Sequence, residues 1–390
     1  MIKIKGKRNS ATIYTEKIDN STKTQIASLL REEAYSDSKI RIMPDTHSGK
    51  NVAVGTTMTL SRRVNPALVG VDIGCGMEVV ILQETEVDLK KLDEAIHSSI
   101  PCGAKIHELP IAEFDLSSLY CKDKVDITRA MRSLGTLGGG NHFIELDRSE
   151  QGELMLVIHS GSRQLGSDVA SYYQEQAYRY QCKKMKRRSN HDRRSNDEYL
   201  CRAEKRERKS DVKVRYEDAI LEGELFDKYL QDISIVTAFA DLNRQTIAKT
   251  ICSKMSLTEK DRFSCVHNYI DTDRMILRKG AISARLDERL IIPLNMRDGA
   301  IIGRGLGNPE WNFSAPHGAG RACNRTEAKF AFTVEEFQRQ MEGIYTTTAQ
   351  TGSLDECPMA YKPPEAILSQ IEESVEIEQI IKPIYNFKSC

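Results

Sequence analysis

An acid and a thiol stand three residues apart in Gly70–Met77, GVDIGCGM, with glycines at 70, 74 and 76 around them. A turn without side chains lets the Asp72 carboxylate and the Cys75 sulfur converge on one point, and an oxygen and a sulfur on one point suit a metal ion. A tight turn around a buried structural cysteine uses the same residues. Imidazoles from elsewhere decide between the two. The chain has only 8 histidines, and His142, His159 and His267 fall, like Asp72 and Cys75, at strand ends or in glycine loops. That common setting favours one shared metal site. One acid, one thiol and three imidazoles exceed the needs of one tetrahedral site, so a two-metal site with a bridging thiolate also fits. By ligand softness alone the metal is zinc.

His317 stands in a different loop, followed by Gly318, Gly320 and Arg321. Beside an arginine, an imidazole is a candidate phosphate-handling nucleophile, because it can form a covalent intermediate; the alternative is one more ligand. The run Gly138–Gly140 ahead of Asn141 and His142 brings backbone N–H groups toward phosphate oxygens, although the order of a P-loop is missing. Asp45 and His47 in MPDTHSGK fix a turn or bind a metal, with the turn as their first task. His97 and His191 read as solvated, and His107 has no partner signal.

The elements that carry these residues follow from periodicity. NPALVGVDI reads as a buried strand ending in the glycine turn, and MEVVILQ as the strand after it. A strand through Ile40 and Ile42 stops at Pro44. GELMLVIHS is a buried strand ending at His159. Arg278 and Lys279 read as a turn after MIL, LIIPLN and AIIGRG as paired strands, and 333–343 and 364–381 as helices. From about 169 to 243 the chain reads as mostly helical.

Acidic and basic residues both number 56, so net charge identifies no partner. Local charge does more: Arg179–Arg215 holds 15 Lys/Arg against 6 Asp/Glu, either a solvated helical arm or a phosphate-binding arm for nucleic acid. No apolar run is long enough to cross a bilayer, the start lacks the apolar stretch of a signal peptide, and the 10 cysteines lack paired spacing. A reducing cytoplasm is the expected home. One α/β domain of 390 residues with a helical excursion at about 170–250 is the simplest division.

Taken together, MPDTHSGK, GVDIGCGM, LGTLGGGNHFIEL, IHSGSR, HNY, RKGA, GLGN, HGAGR and MAYK, in this order from Met43 to Lys362, resemble the RtcB family of RNA-splicing ligases. The resemblance implies a large single-domain α/β fold with mixed sheets around a metal cleft. It implies joining of RNA 3′-phosphate or 2′,3′-cyclic phosphate ends to 5′-hydroxyl ends, with GTP and two Mn²⁺ ions in place of zinc. Carried over by motif, His317 would accept GMP. Asp72, Cys75, His142, His159 and His267 would hold the metals, with Cys75 shared. Asn141 and Glu145 would contact the nucleotide, and Lys362 the guanine. Three departures stand out. Leu294, Asn295, Met296 and Arg297 replace a Gly-Ser-Met-Gly loop that holds the nucleotide, Pro316 replaces a serine, and Gln164 replaces a glycine. Asn295 and Arg297 are expected to change nucleotide handling. The competing readings are an RNA-end-binding protein with lost or partial ligase activity and a zinc-dependent phosphodiesterase.

Overall fold

The computed structural model describes residues 1–195 and 214–388, with side chains through 185 and from 214. Alternating apolar residues build two large sheets. The first has the order β1 (Ile2–Lys5), β2 (Ser10–Ile13), β3 (Ile40–His47), β4 (Val54–Thr59), β12 (Ile276–Lys279), β11 (Asn268–Asp271), antiparallel except for β2 beside β3. The second is antiparallel throughout, in the order β10 (Glu259–Val266), β6 (Gly76–Leu82), β8 (Leu154–Ser160), β7 (Phe143–Arg148), β17 (Val375–Lys388), β15 (Gly299–Gly305), β14 (Arg289–Asn295). Two short ladders pair β5 (Arg63–Val64) with β9 (Leu221–Glu222) and β13 (Ala281–Ser283) with β16 (Ser314–Pro316).

The helices among the described residues are α1 (Asn20–Leu29), α2 (Leu89–Ser99), α3 (Ile127–Ser133), α4 (Arg163–Ser195), α5 (Glu224–Met255), α6 (Arg325–Ala331), α7 (Val334–Gln340) and α8 (Glu365–Leu368). Helix α5 joins two cores. Phe226, Tyr229, Ile233, Val236 and Phe239 in its first half pack with residues of the six-stranded sheet and of α4. Ile247, Ala248 and Ile251 pack with α2 and one face of the seven-stranded sheet. The middle of α5 therefore lies where the two sheets approach, and the site forms beside it.

Four local expectations are corrected. The stretch before Gly70 is not a strand: the Asn65 side chain caps a 3-10 turn at Pro66–Leu68 by accepting from Ala67 N–H, and the strand starts at Gly76. Strand β3 runs past Pro44 to His47, because its register against β4 shifts between Ile42 and His47 and proline sits in that irregularity, where no ladder donor is needed. Arg278 and Lys279 belong to β12, and the turn is at Gly280. Only Glu365–Leu368 of the expected 364–381 helix forms. Val375–Lys388 is instead a 14-residue strand filling the gap between β7 and β15, where tertiary pairing overrides a charged, helix-like composition. Of the basic run, Arg179 pairs with Glu175 and Lys184 with Glu222; Lys186 to Lys213, His191 among them, lie outside the residues whose side chains are described.

Candidate active site

Three turns meet at the middle of α5. The fully buried Arg244 donates from Nη1 to Gly74 O at 2.8 Å and Ser160 O at 3.0 Å, and from Nη2 to Asp241 at 3.0 Å. Asn243 accepts from Gly135 N–H at 2.8 Å and donates to Ser160 Oγ at 3.0 Å and Gly161 O at 3.1 Å. These two residues pin the GCG turn, the loop ahead of His142 and the end of β8 to one helix. His267 N–H donates to Cys75 O at 2.9 Å, which adds the β10–β11 junction. The sequence reading missed both α5 residues, since a polar pair in a long helix looks like a solvated face until the helix is buried.

The predicted donors converge. Cys75 Sγ lies 3.3 Å from Nε2 of His142 and 3.3 Å from Nε2 of His159, and Asp72 Oδ2 lies 3.1 Å from His142 Nε2. The ligand atoms of Cys75, His142 and His159 all fall within 4.8 Å of one another. His267 stands next, its ring centroid 5.1 Å from His159 and 5.0 Å from His317. Close approach depends on glycine at 161: a Cβ there would sit 2.0 Å from Asp72 Oδ1.

The chemistry of this set fits a cation. His159 Nδ1–H donates to Asn141 O at 3.1 Å, which leaves the Nε2 lone pair facing the sulfur. Burial, with His142 near His159 and His317 near His267, holds both imidazoles well below their ordinary pKa, so both are neutral at pH 7. Burial opposes ionisation of Asp72, yet its hydrogen bond from His142 takes the carboxyl well below the usual carboxylate range. Burial and the Asp72 charge push the Cys75 thiol far up; a bound cation is what would deprotonate it.

His317 borders the same space. Its Nδ1 is 2.6 Å from Asp45 Oδ2, and Asp45 is fully buried. His47 joins the wall through Asp45 O at 3.1 Å, and burial takes its imidazole down to about 4. The expectation that Asp45 fixes a turn understates it, because its carboxylate orients the candidate nucleophile from 272 residues away in sequence.

Between His317 and the donor cluster opens a cleft of about 190 Å³, with Asn141, Phe143, Glu145, Arg321 and Lys388 among its walls. Glu145 accepts from Asn386 at 2.5 Å, and burial raises its carboxyl. Lys362 does not line this cleft: its Nζ faces the carbonyls of Pro44 and Thr46 at 3.4 and 3.3 Å, and it lines a neighbouring cavity. The lysine inside is Lys388, over the Phe143 ring at 5.1 Å; an isolated basic residue near the end of a strand gave no signal. Asn295 reaches the cleft, but its amide is taken by Asp298 and by the N–H groups of Arg297 and Asp298. Arg297 is bound to Asp298 and Gln340 and lines the neighbouring cavity.

A family model for the tRNA-splicing ligase RtcB matches residues 30–120 and 116–389. The chain belongs to the RtcB family. It is 30% identical over 388 residues to the RNA-splicing ligase RtcB of Escherichia coli strain K12, which covers 88% of each chain. It is 31% identical, with the same coverage, to RNA-splicing ligase RtcB1 of Escherichia coli strain ATCC 25922. The tRNA-splicing ligase RtcB of Aeropyrum pernix is 25% identical over 87% of this chain and 85% of its own. This RtcB-family chain is an α/β enzyme, an RNA ligase by family, and no helix among its described residues is long and apolar enough to cross a membrane.

Proposed function

We propose that this chain ligates RNA, joining a 3′-phosphate or 2′,3′-cyclic phosphate end to a 5′-hydroxyl end with GTP as the energy source. His317 carries the reading. With Nδ1–H donated to Asp45, the Nε2 lone pair is left for a phosphorus atom in the cleft, which Gly318 and Gly320 also line.

In the first step His317 Nε2 bonds to the α-phosphorus of GTP, the bond to the β-phosphate oxygen breaks, and pyrophosphate leaves. The Asp45 carboxylate stabilises the imidazolium character that develops on the ring. In the second step an oxygen of the RNA 3′-phosphate takes GMP from His317. In the third the 5′-hydroxyl attacks the activated 3′-phosphate, its proton departs, and GMP leaves as a phosphodiester forms. A cyclic phosphate end enters after hydrolysis to the 3′-phosphate. Arg321, Lys388 and Asn141 orient the nucleotide in the cleft, and Glu145 accepts hydrogen bonds at its far end.

Asp72, Cys75, His142, His159 and His267 would hold two Mn²⁺ ions, with Cys75 shared. Such ions neutralise charge on a transferring phosphoryl group and orient the attacking oxygen. The likeness to splicing ligases supports RNA over other phosphate esters. Incubation of purified protein with GTP, Mn²⁺ and two RNA fragments bearing 3′-phosphate and 5′-hydroxyl ends should yield the joined strand. Failure to join them, with cleavage of cyclic phosphate ends as the sole reaction, would contradict the reading.

A further inference from the structure

Glu356, outside the metal cluster and beside the cleft, gathers four donors although its side chain is only 2% exposed. Oε1 lies 2.6 Å from Arg325 Nη1 and 3.2 Å from Arg321 Nη1. Oε2 accepts from Lys388 Nζ at 2.9 Å and from the Tyr361 hydroxyl at 2.6 Å. Burial would raise this carboxyl, yet Lys388 and Arg325 bring it down to about 2. The four donors come from separate segments: the loop behind His317, α6, the loop before Lys362, and the C-terminal part of β17.

These partners border the cleft beside His317. Lys388 Nζ is 3.2 Å from Asn141 O, the carbonyl that also takes His159 Nδ1–H at 3.1 Å. Arg321, just after the Gly318–Gly320 turn, is held in place by donating from Nη2 to Asp355 O at 2.5 Å and from Nε to Cys323 O at 3.0 Å. A buried ion network is a poor source of stability, because desolvation offsets its Coulomb gain. Its geometric effect is different: one fixed anion holds cations from separate segments along one cleft.

We propose that Glu356 is a positioning residue for the nucleotide, holding Lys388 and Arg321 where the bound GTP meets them. This rests on the reading of the cleft as the GTP site. Glu356 touches no reacting atom, so its loss acts on binding more than on transfer of GMP.

The test measures KM for GTP and kcat for labelling of His317 in Glu356→Gln, Tyr361→Phe, Lys388→Met and Glu356→Gln/Lys388→Met. Glu356→Gln keeps the shape and removes the charge, so KM should rise about tenfold or more with kcat nearly unchanged. Tyr361→Phe removes one donor to the carboxylate and no charge, and should raise KM in the same direction by less; it carries the test if Glu356→Gln fails to fold. Because Glu356 acts in part through Lys388, the double variant should lose less than the sum of the two single losses. An unchanged KM in Glu356→Gln or Tyr361→Phe, or fully additive losses in the double variant, would overturn the role of Glu356 alone. A wild-type protein that takes no GMP from GTP would overturn the nucleotide cleft, and Glu356's role with it.

Discussion

The proton on Nδ1 of His317 is placed by a single carboxylate oxygen 2.6 Å away. Asp45→Asn keeps the size of that group but offers an amide that can donate, which favours the tautomer with the proton on Nε2. GMP transfer to His317 should fall by about 10²- to 10⁴-fold, the scale seen when a carboxylate behind a catalytic imidazole is neutralised, while Mn²⁺ affinity stays as it was. Single-turnover labelling with GTP measures this, and an undiminished rate would show that Asp45 does not set the tautomer. Gly161 has the opposite kind of influence, through what it lacks. In Gly161→Ala the new Cβ would fall 2.0 Å from Asp72 Oδ1, so the carboxylate must swing away from His142. Mn²⁺ affinity measured by calorimetry should drop by about 10- to 100-fold with the circular dichroism spectrum unchanged. Equal affinity would mean that Asp72 is not a ligand.

Helix α5 is the element that turns scattered motifs into one site, since Asn243 and Arg244 tie together three loops that carry or flank Asp72, Cys75, His142 and His159. Arg244→Met leaves the Gly74 and Ser160 carbonyls without this donor in a buried setting and should destabilise the fold by about 2–5 kcal/mol. It should also weaken Mn²⁺ binding, and a melt together with a metal titration tests both. A stable variant with intact metal affinity would remove α5 from the account. The five candidate ligands, the strand ending at His159 and the candidate nucleophile were legible in the sequence, because glycine turns at strand ends leave a local signature. The sequence did not show what depends on distant packing. Asp45 reads as a turn former until His317 arrives beside it. Lys388 lies outside every motif until β17 inserts between β7 and β15, and that insertion also defeated the helix expected over 364–381. Pro44 misled for a related reason, as the shift in register that tolerates it is a property of two strands.

Across the molecule, the site sits where two sheets meet, and the interior tolerates a polar group it does not satisfy. Asp147 is fully buried, and neither carboxylate oxygen has a hydrogen-bond partner among the described residues. Burial and neighbouring Glu145 raise its carboxyl well above the ordinary value. From about pH 4 upward the unfolded chain releases this proton and the folded chain keeps it, so stability is lost as pH rises through that window. Asp147→Asn lacks the loss. It should be more stable than wild type at pH 7.5 by about 1–3 kcal/mol, with a smaller difference at pH 4.5, as read by urea melts; the same difference at both values would contradict this. The central claim concerns one bond, between His317 and a nucleotide phosphorus. The measurement is incubation of the purified protein with Mn²⁺ and GTP labelled at the α-phosphate, followed by mapping of the covalent label. The account predicts one labelled residue, His317, through a phosphoramidate that is labile in acid and stable in alkali, and no label in His317→Asn. Label on a lysine, full labelling of His317→Asn, or no label on the wild-type protein would contradict it.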